Sequence, residues 1–159
     1  MPYEGDYLDD CAALNFDEHA IEAVIVSGEY WNPYGHVLLN CGGEGGYYFH
    51  AATVRSRPKY LDEAGFQRYL QESGKKVRRR IPFCLPYPQA AKRRWQELMS
   101  QVWRWSLFER NCARFVEEVL WAGGAPVLLE TNRLMPGLSA LPYRLRLVLA
   151  WRISWPGGY

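Results

Sequence analysis

Two short runs rich in β-branched residues and leucine, 21–27 (IEAVIVS) and 36–41 (HVLLNC), stand on either side of Gly28 and the turn-forming Asn32-Pro33 and predict two strands. The glycine cluster 42–46 (GGEGG) then leads into 47–51 (YYFHA), which predicts a hairpin joining antiparallel neighbours. A phosphate-cradling role is not expected of that cluster, because it lacks the lysine and serine or threonine of a P-loop and enters a strand instead of a helix. Apolar positions Leu61, Ala64, Phe66, Tyr69 and Leu70 recur at helical spacing over 61–73, with Gly74 as the stop. The run 76–83 (KVRRRIPF) predicts a strand with an exposed basic face. Pro88 suits the first turn of a helix, and Ala91, Trp95, Leu98, Met99, Val102 and Trp103 follow at spacings of three and four. A last helix begins at Asn111-Cys112 and carries Phe115, Val116, Val119 and Leu120 to a stop at Gly123-Gly124. The expected class is α+β, an antiparallel sheet packed against helices.

Composition limits this to one domain: 159 residues with 48% hydrophobic content suffice for one real core. A single domain over 1–159 is expected, with a core at about 21–124 and a C-terminal appendage at about 136–159 set off by Pro136-Gly137. Nineteen basic against 17 acidic residues leave a formal charge of +2, too weak a field to argue for nucleic acid. No apolar run approaches the roughly 20 residues that cross a bilayer; Arg144, Arg146 and Arg152 interrupt the most apolar tail. The acidic start Met1-Pro2-Tyr3-Glu4-Gly5-Asp6 lacks the features of a secretory signal, so synthesis in the cytoplasm without a leader is expected. The four cysteines, 11, 41, 84 and 112, show no CxxC spacing and match neither a zinc site nor a disulfide scaffold.

Of these thiols Cys112 has the setting for chemistry. A helix N-terminus presents unpaired N–H groups that favour a thiolate, and Asn111 at the expected N-cap can fix how the sulfur is presented. A buried structural cysteine is the competing reading. Cys41 ends a strand, Cys84 follows one and Cys11 lies in the acidic N-terminal stretch, so these are read as structural. A nucleophilic thiol needs a base, and the chain holds three histidines. His36 opens one strand and His50 closes the next, so antiparallel pairing brings both to one end of the sheet, where one can orient the other. His19, beside Asp17 and Glu18, reads as surface.

The string 105–116 (WSLFERNCARFV) resembles the asparagine-cysteine-x-x-phenylalanine-valine motif of the lecithin:retinol acyltransferase-like proteins, the circularly permuted branch of the NlpC/P60 papain-like superfamily. In that family a histidine at a strand start comes first, a second polar residue one strand later and the cysteine last, on a helix; the order His36, His50, Cys112 is similar. The resemblance covers about 21–124 and implies a permuted papain-like fold with Cys112 as nucleophile, His36 as general base and His50 as orienting third member. Tyr34 matches a tyrosine that relatives use to stabilise the oxyanion, with the Cys112 N–H as a further donor. Ala113-Arg114 stands where animal acyltransferases commonly have glutamate-histidine.

The chemistry so implied is acyl transfer through a thioester, which requires no metal or organic cofactor. The expected substrate is a lipid ester or amide. Seven tryptophans, the aromatic stretch Trp95, Trp103, Trp105 and Phe108, and an arginine-tryptophan tail at 141–151 suited to peripheral membrane contact all lean that way. The alternatives are a peptidoglycan or peptide amidase and a non-catalytic binding domain on the same scaffold. A small hydrolase without a leader also resembles bacterial effectors delivered by specialised secretion systems, for which a cognate inhibitor protein is the expected partner.

Overall fold

The computed structural model describes residues 1–28, 35–52, 55–103 and 112–125. Along the chain come strands β1 (Asp6–Tyr7), β2 (Ile21–Val26), β3 (His36–Cys41), β4 (Tyr47–His50) and β5 (Lys59–Leu61), helix α1 (Glu63–Ser73), strand β6 (Val77–Phe83), and helices α2 (Pro88–Ser100) and α3 (Cys112–Ala122). A turn of 3-10 helix, Cys11–Ala13, precedes β2. The strands form one antiparallel sheet in the order β1-β5-β4-β3-β2-β6, so the molecule is α+β as its pattern predicts.

β3 and β4 are hairpin neighbours, with Leu39 opposite Phe49 and Cys41 opposite Tyr47. The buried Asn40 side chain donates to the Gly43 and Tyr47 carbonyls and ties down the glycine-rich loop. Helix α1 starts two residues later than its apolar spacing suggests. Leu61 ends β5, and the Asp62 carboxylate accepts the Gly65 N–H at 2.7 Å, which makes Asp62 the cap. Helix α2 stops before Val102, which is exposed; Trp103 is buried outside the helix, its N–H donating to the Ser56 carbonyl at 2.8 Å. β1 and β5, two and three residues long, are too short to show a period in the sequence.

Strand alternation divides the core into two clusters. On one face Phe66 and Tyr69 of α1 pack onto Val24, Val26, Leu38, Tyr48 and Leu61. On the other face Ala23, Ile25, Val37, Leu39 and Phe49 meet α2 and α3, around a fully buried Trp95 that stacks on Phe16 at 4.4 Å between ring centroids. β6 is an edge strand whose Arg78 and Arg79 are exposed, charges that discourage pairing with another sheet edge. No helix among the described residues is long and apolar enough to cross a membrane.

Candidate active site

β3 and β4 bring the two histidines together. His36 opens β3 and His50 closes β4, and the His36 Nε2 lies 2.7 Å from His50 Nδ1. The other nitrogen of His50, Nε2, lies 2.7 Å from the backbone carbonyl oxygen of Glu4. A carbonyl only accepts, so His50 Nε2 carries a proton and donates. In the neutral ring Nδ1 is then an acceptor, and His36 must donate to it from Nε2. That leaves Nδ1 of His36 with a lone pair, the form a general base needs.

Burial, together with the charge of Lys75 and the histidine pair itself, holds His36 well below the ordinary imidazole range. Burial also pushes His50 down to about 4, with Lys59 and Lys75 acting in the same direction and the Glu4 carbonyl opposing them. Both rings are therefore neutral at pH 7. They pack against Tyr69 of α1, whose ring centroid is 5.5 Å from that of His50. A cavity of ≈ 240 Å³ opens beside them, lined by Pro2, Glu4, His36, His50, Tyr69 and Lys75 among others. That is below the size of typical ligand pockets, which start at about 300 Å³, and leaves room for a head group or a single side chain.

Cys112 is the first residue of α3, as its sequence setting predicts, and it packs with the α2 and α3 cluster. The backbone N–H groups of Val37, Ala113 and Cys112 hydrogen-bond its sulfur and favour a thiolate, but burial outweighs them and Glu117 adds to it, so the thiol is pushed up. This corrects the expectation of a depressed thiol at the helix N-terminus: desolvation is the larger effect, and the resting sulfur keeps its proton. The sulfur faces the backbone of Val37, the residue after His36. The His36 side chain, in register with Leu38 and paired with Val26, lies on the opposite, α1 side of the strand. Among the described residues no hydrogen bond joins the His36 ring to the Cys112 sulfur. The histidines and the thiol thus meet the first residues of β3 from its two sides.

Tyr34 and Asn111 lie outside the described residues, as do Trp105, Phe108 and the C-terminal segment 126–159. Trp95 and Trp103 are buried in the core and form no wall of the cavity. His19 is exposed, as expected. Cys41 is buried and pushed up to about 12 by desolvation, in keeping with a structural role. Among the described residues no cluster of three or more histidine, cysteine or acidic side chains could hold a metal ion. Sequence reasoning missed the Glu4 carbonyl, Tyr69 and Lys75: a backbone acceptor has no residue-type signature, and Tyr69 reads as an ordinary position on the apolar stripe of a helix.

Comparison with known proteins finds no family model, no curated protein and no solved structure that matches the chain.

Proposed function

We propose that the chain is a cysteine-dependent acyl hydrolase or acyltransferase on a circularly permuted papain-like scaffold, acting on lipid ester or amide bonds through Cys112, His36 and His50. The observation that carries this reading is the hydrogen-bonded series from the Glu4 carbonyl through His50 to His36. It leaves a neutral imidazole with an unprotonated Nδ1 on the strand whose next residue, Val37, meets the Cys112 sulfur from the other side.

In this scheme His36 Nδ1 takes the thiol proton as the Cys112 sulfur bonds to the substrate carbonyl carbon. Because the resting pair is neutral, the thiolate forms as attack occurs. For this transfer the ring and the sulfur, which lie on opposite sides of β3, must be brought to the same side of the strand end, a rearrangement larger than the tightening of a loose contact. Tyr34 and the Cys112 N–H stabilise the oxyanion. When the C–O or C–N bond breaks, the His36 imidazolium protonates the departing alcohol or amine, leaving a thioester on Cys112. Water or an acceptor alcohol or amine then attacks the thioester, gives its proton to His36, and the sulfur recovers a proton as it leaves.

One observation favours a second reading. The absence of a hydrogen bond between His36 and Cys112 among the described residues, with the thiol held protonated by burial, fits a binding domain that retains the scaffold without turnover. Intact-mass spectrometry after brief incubation with phospholipid vesicles, and separately with peptidoglycan fragments, decides between them when the native chain is compared with Cys112→Ala. An acyl adduct or lysolipid that disappears in Cys112→Ala supports the lipid enzyme. Cleaved stem peptides with untouched lipid move the assignment to a cell-wall amidase. No adduct and no product on either substrate overturns the catalytic reading in favour of binding.

A further inference from the structure

The histidine pair has no intrinsic direction: two neutral imidazoles sharing one hydrogen bond can pass the donor role either way. What breaks the symmetry is a backbone oxygen from the far N-terminus, the Glu4 carbonyl, 46 positions before His50 and 2.7 Å from its Nε2. We infer that residues 3–6 are a positioning strap that sets the direction of the His36–His50 relay, with Gly5 and Tyr3 as its positioning residues.

The strap is fastened on both sides of Glu4. On one side the Tyr3 N–H donates to the Glu72 carboxylate at 2.7 Å, the Tyr3 hydroxyl donates to Asp6 at 2.6 Å, and the Arg68 guanidinium lies 4.3 Å from the Tyr3 ring centroid. On the other side Asp6 pairs with Tyr60 as β1 joins the sheet edge. Between them Gly5 has φ +98, a conformation L side chains rarely adopt, and a Cβ there would lie 2.5 Å from the Tyr60 carbonyl oxygen and 2.9 Å from Leu61 Cδ2. Gly5 is thus what lets the chain run close enough to β5 to aim the Glu4 carbonyl at His50.

Without that carbonyl, His50 is free to hold its proton on Nδ1 and donate to His36 Nε2. His36 then carries its own proton on Nδ1, the nitrogen that has to be empty to accept one from a thiol. The same two rings at the same distance would form a relay pointing the wrong way. The relay's direction is a property of the fold by itself; its effect on turnover rests on the thiol reading above.

Nitrogen-15 NMR of the full chain labelled at histidine, at pH 7, tests the strap directly, with exposed His19 as the internal reference. In the native chain His36 and His50 are both expected to be protonated at Nε2. In Gly5→Val and in the milder Tyr3→Ala, His50 shifts toward the Nδ1-protonated form, His36 follows, and kcat falls on the order of tenfold or more with KM changing little. Should Gly5→Val not fold, Tyr3→Ala carries the test. A native His50 protonated at Nδ1, or tautomers that stay unchanged in the folded variants, overturns the inference. Cys112→Ala is expected to keep the native tautomers, so a thiol that proves dispensable for turnover defeats the functional reading while the tautomer result stands on its own.

Discussion

The α1 side of the sheet carries two separate hydrogen-bonded networks, with Asn40 Oδ1 left without a partner among the described residues, whereas the α2 and α3 side packs Cys41, a half-buried Cys112 and an indole into an aromatic core. On the first side Tyr48 donates to Glu63 and accepts from Arg80, Arg80 pairs with Glu22, and the histidine relay runs to the Glu4 carbonyl. On the second, Trp95, Phe16 and Phe49 form an aromatic centre, and the Trp95 Nε1 has no hydrogen-bond partner among the described residues. Both environments favour neutral forms for the groups that matter to chemistry. Burial drives the histidines down and drives Cys41 and Cys112 up. The difference lies in what the hydrogen bonds decide: on the polar side they dictate which nitrogen holds a proton, while on the other side those from Val37, Ala113 and Cys112 are outweighed by desolvation of the sulfur.

The largest effect should come from opening the aromatic side. Trp95→Ala removes a fully buried indole from between two phenylalanine rings and is expected to cost about 3–5 kcal/mol, read as a lower urea midpoint. Retention of the native midpoint would show that this face is not the packed centre of the fold.

Acid should act mainly on the polar side. His50 has a folded pKa of about 4, below the ordinary value of 6.5, so between these values the unfolded chain binds the proton that the native ring excludes. Stability from this group is present above pH 6.5 and is lost as pH falls toward 4. The full difference is about 3 kcal/mol, from about 1.4 kcal/mol per pKa unit. His36 contributes in the same direction. Denaturant titrations across this window should show the slope, and His50→Gln should reduce it to the part that His36 contributes; an unchanged slope would mean that His50 is not buried as a neutral ring.

The smallest of the three effects is expected at Tyr48→Phe, which deletes one hydroxyl from the polar network. Glu63 keeps Gln67 and Gly45 as partners and Arg80 keeps Glu22, so the loss should be about 1 kcal/mol. A loss comparable to that of Trp95→Ala would mean that the network is more strongly coupled than its separate contacts imply, and a double-mutant cycle with Arg80→Met would measure that coupling.

Much of this was legible along the chain. β2, β3 and β4 follow from their apolar runs, the three described α-helices from their spacings, with glycine stops at α1 and α3, and β6 from a basic run that lies exposed on the sheet edge. Cys112 at the head of α3 and the His36–His50 pairing could be read from the glycine stops and the hairpin, which set the ends and register of their elements. Trp95 and Trp103, counted in the aromatic stretch that leaned toward a lipid substrate, are buried in the core; an aromatic stripe looks the same whether it faces a ligand or a core.

By itself, then, the sequence determined the class of the fold, the glycine-marked ends of α1 and α3 and which side chains of chemical interest share one end of the sheet, since these depend on local periodicity and turn chemistry. Only the tertiary structure decided that His36 and Cys112 approach β3 from opposite sides, that burial outweighs the helix N-terminus at the thiol, and that the Glu4 carbonyl directs the histidine relay. Those outcomes depend on strand twofold alternation, on the depth of each group in the assembled core, and on a main-chain oxygen brought in from a distant segment, none of which leaves a mark in the order of residue types.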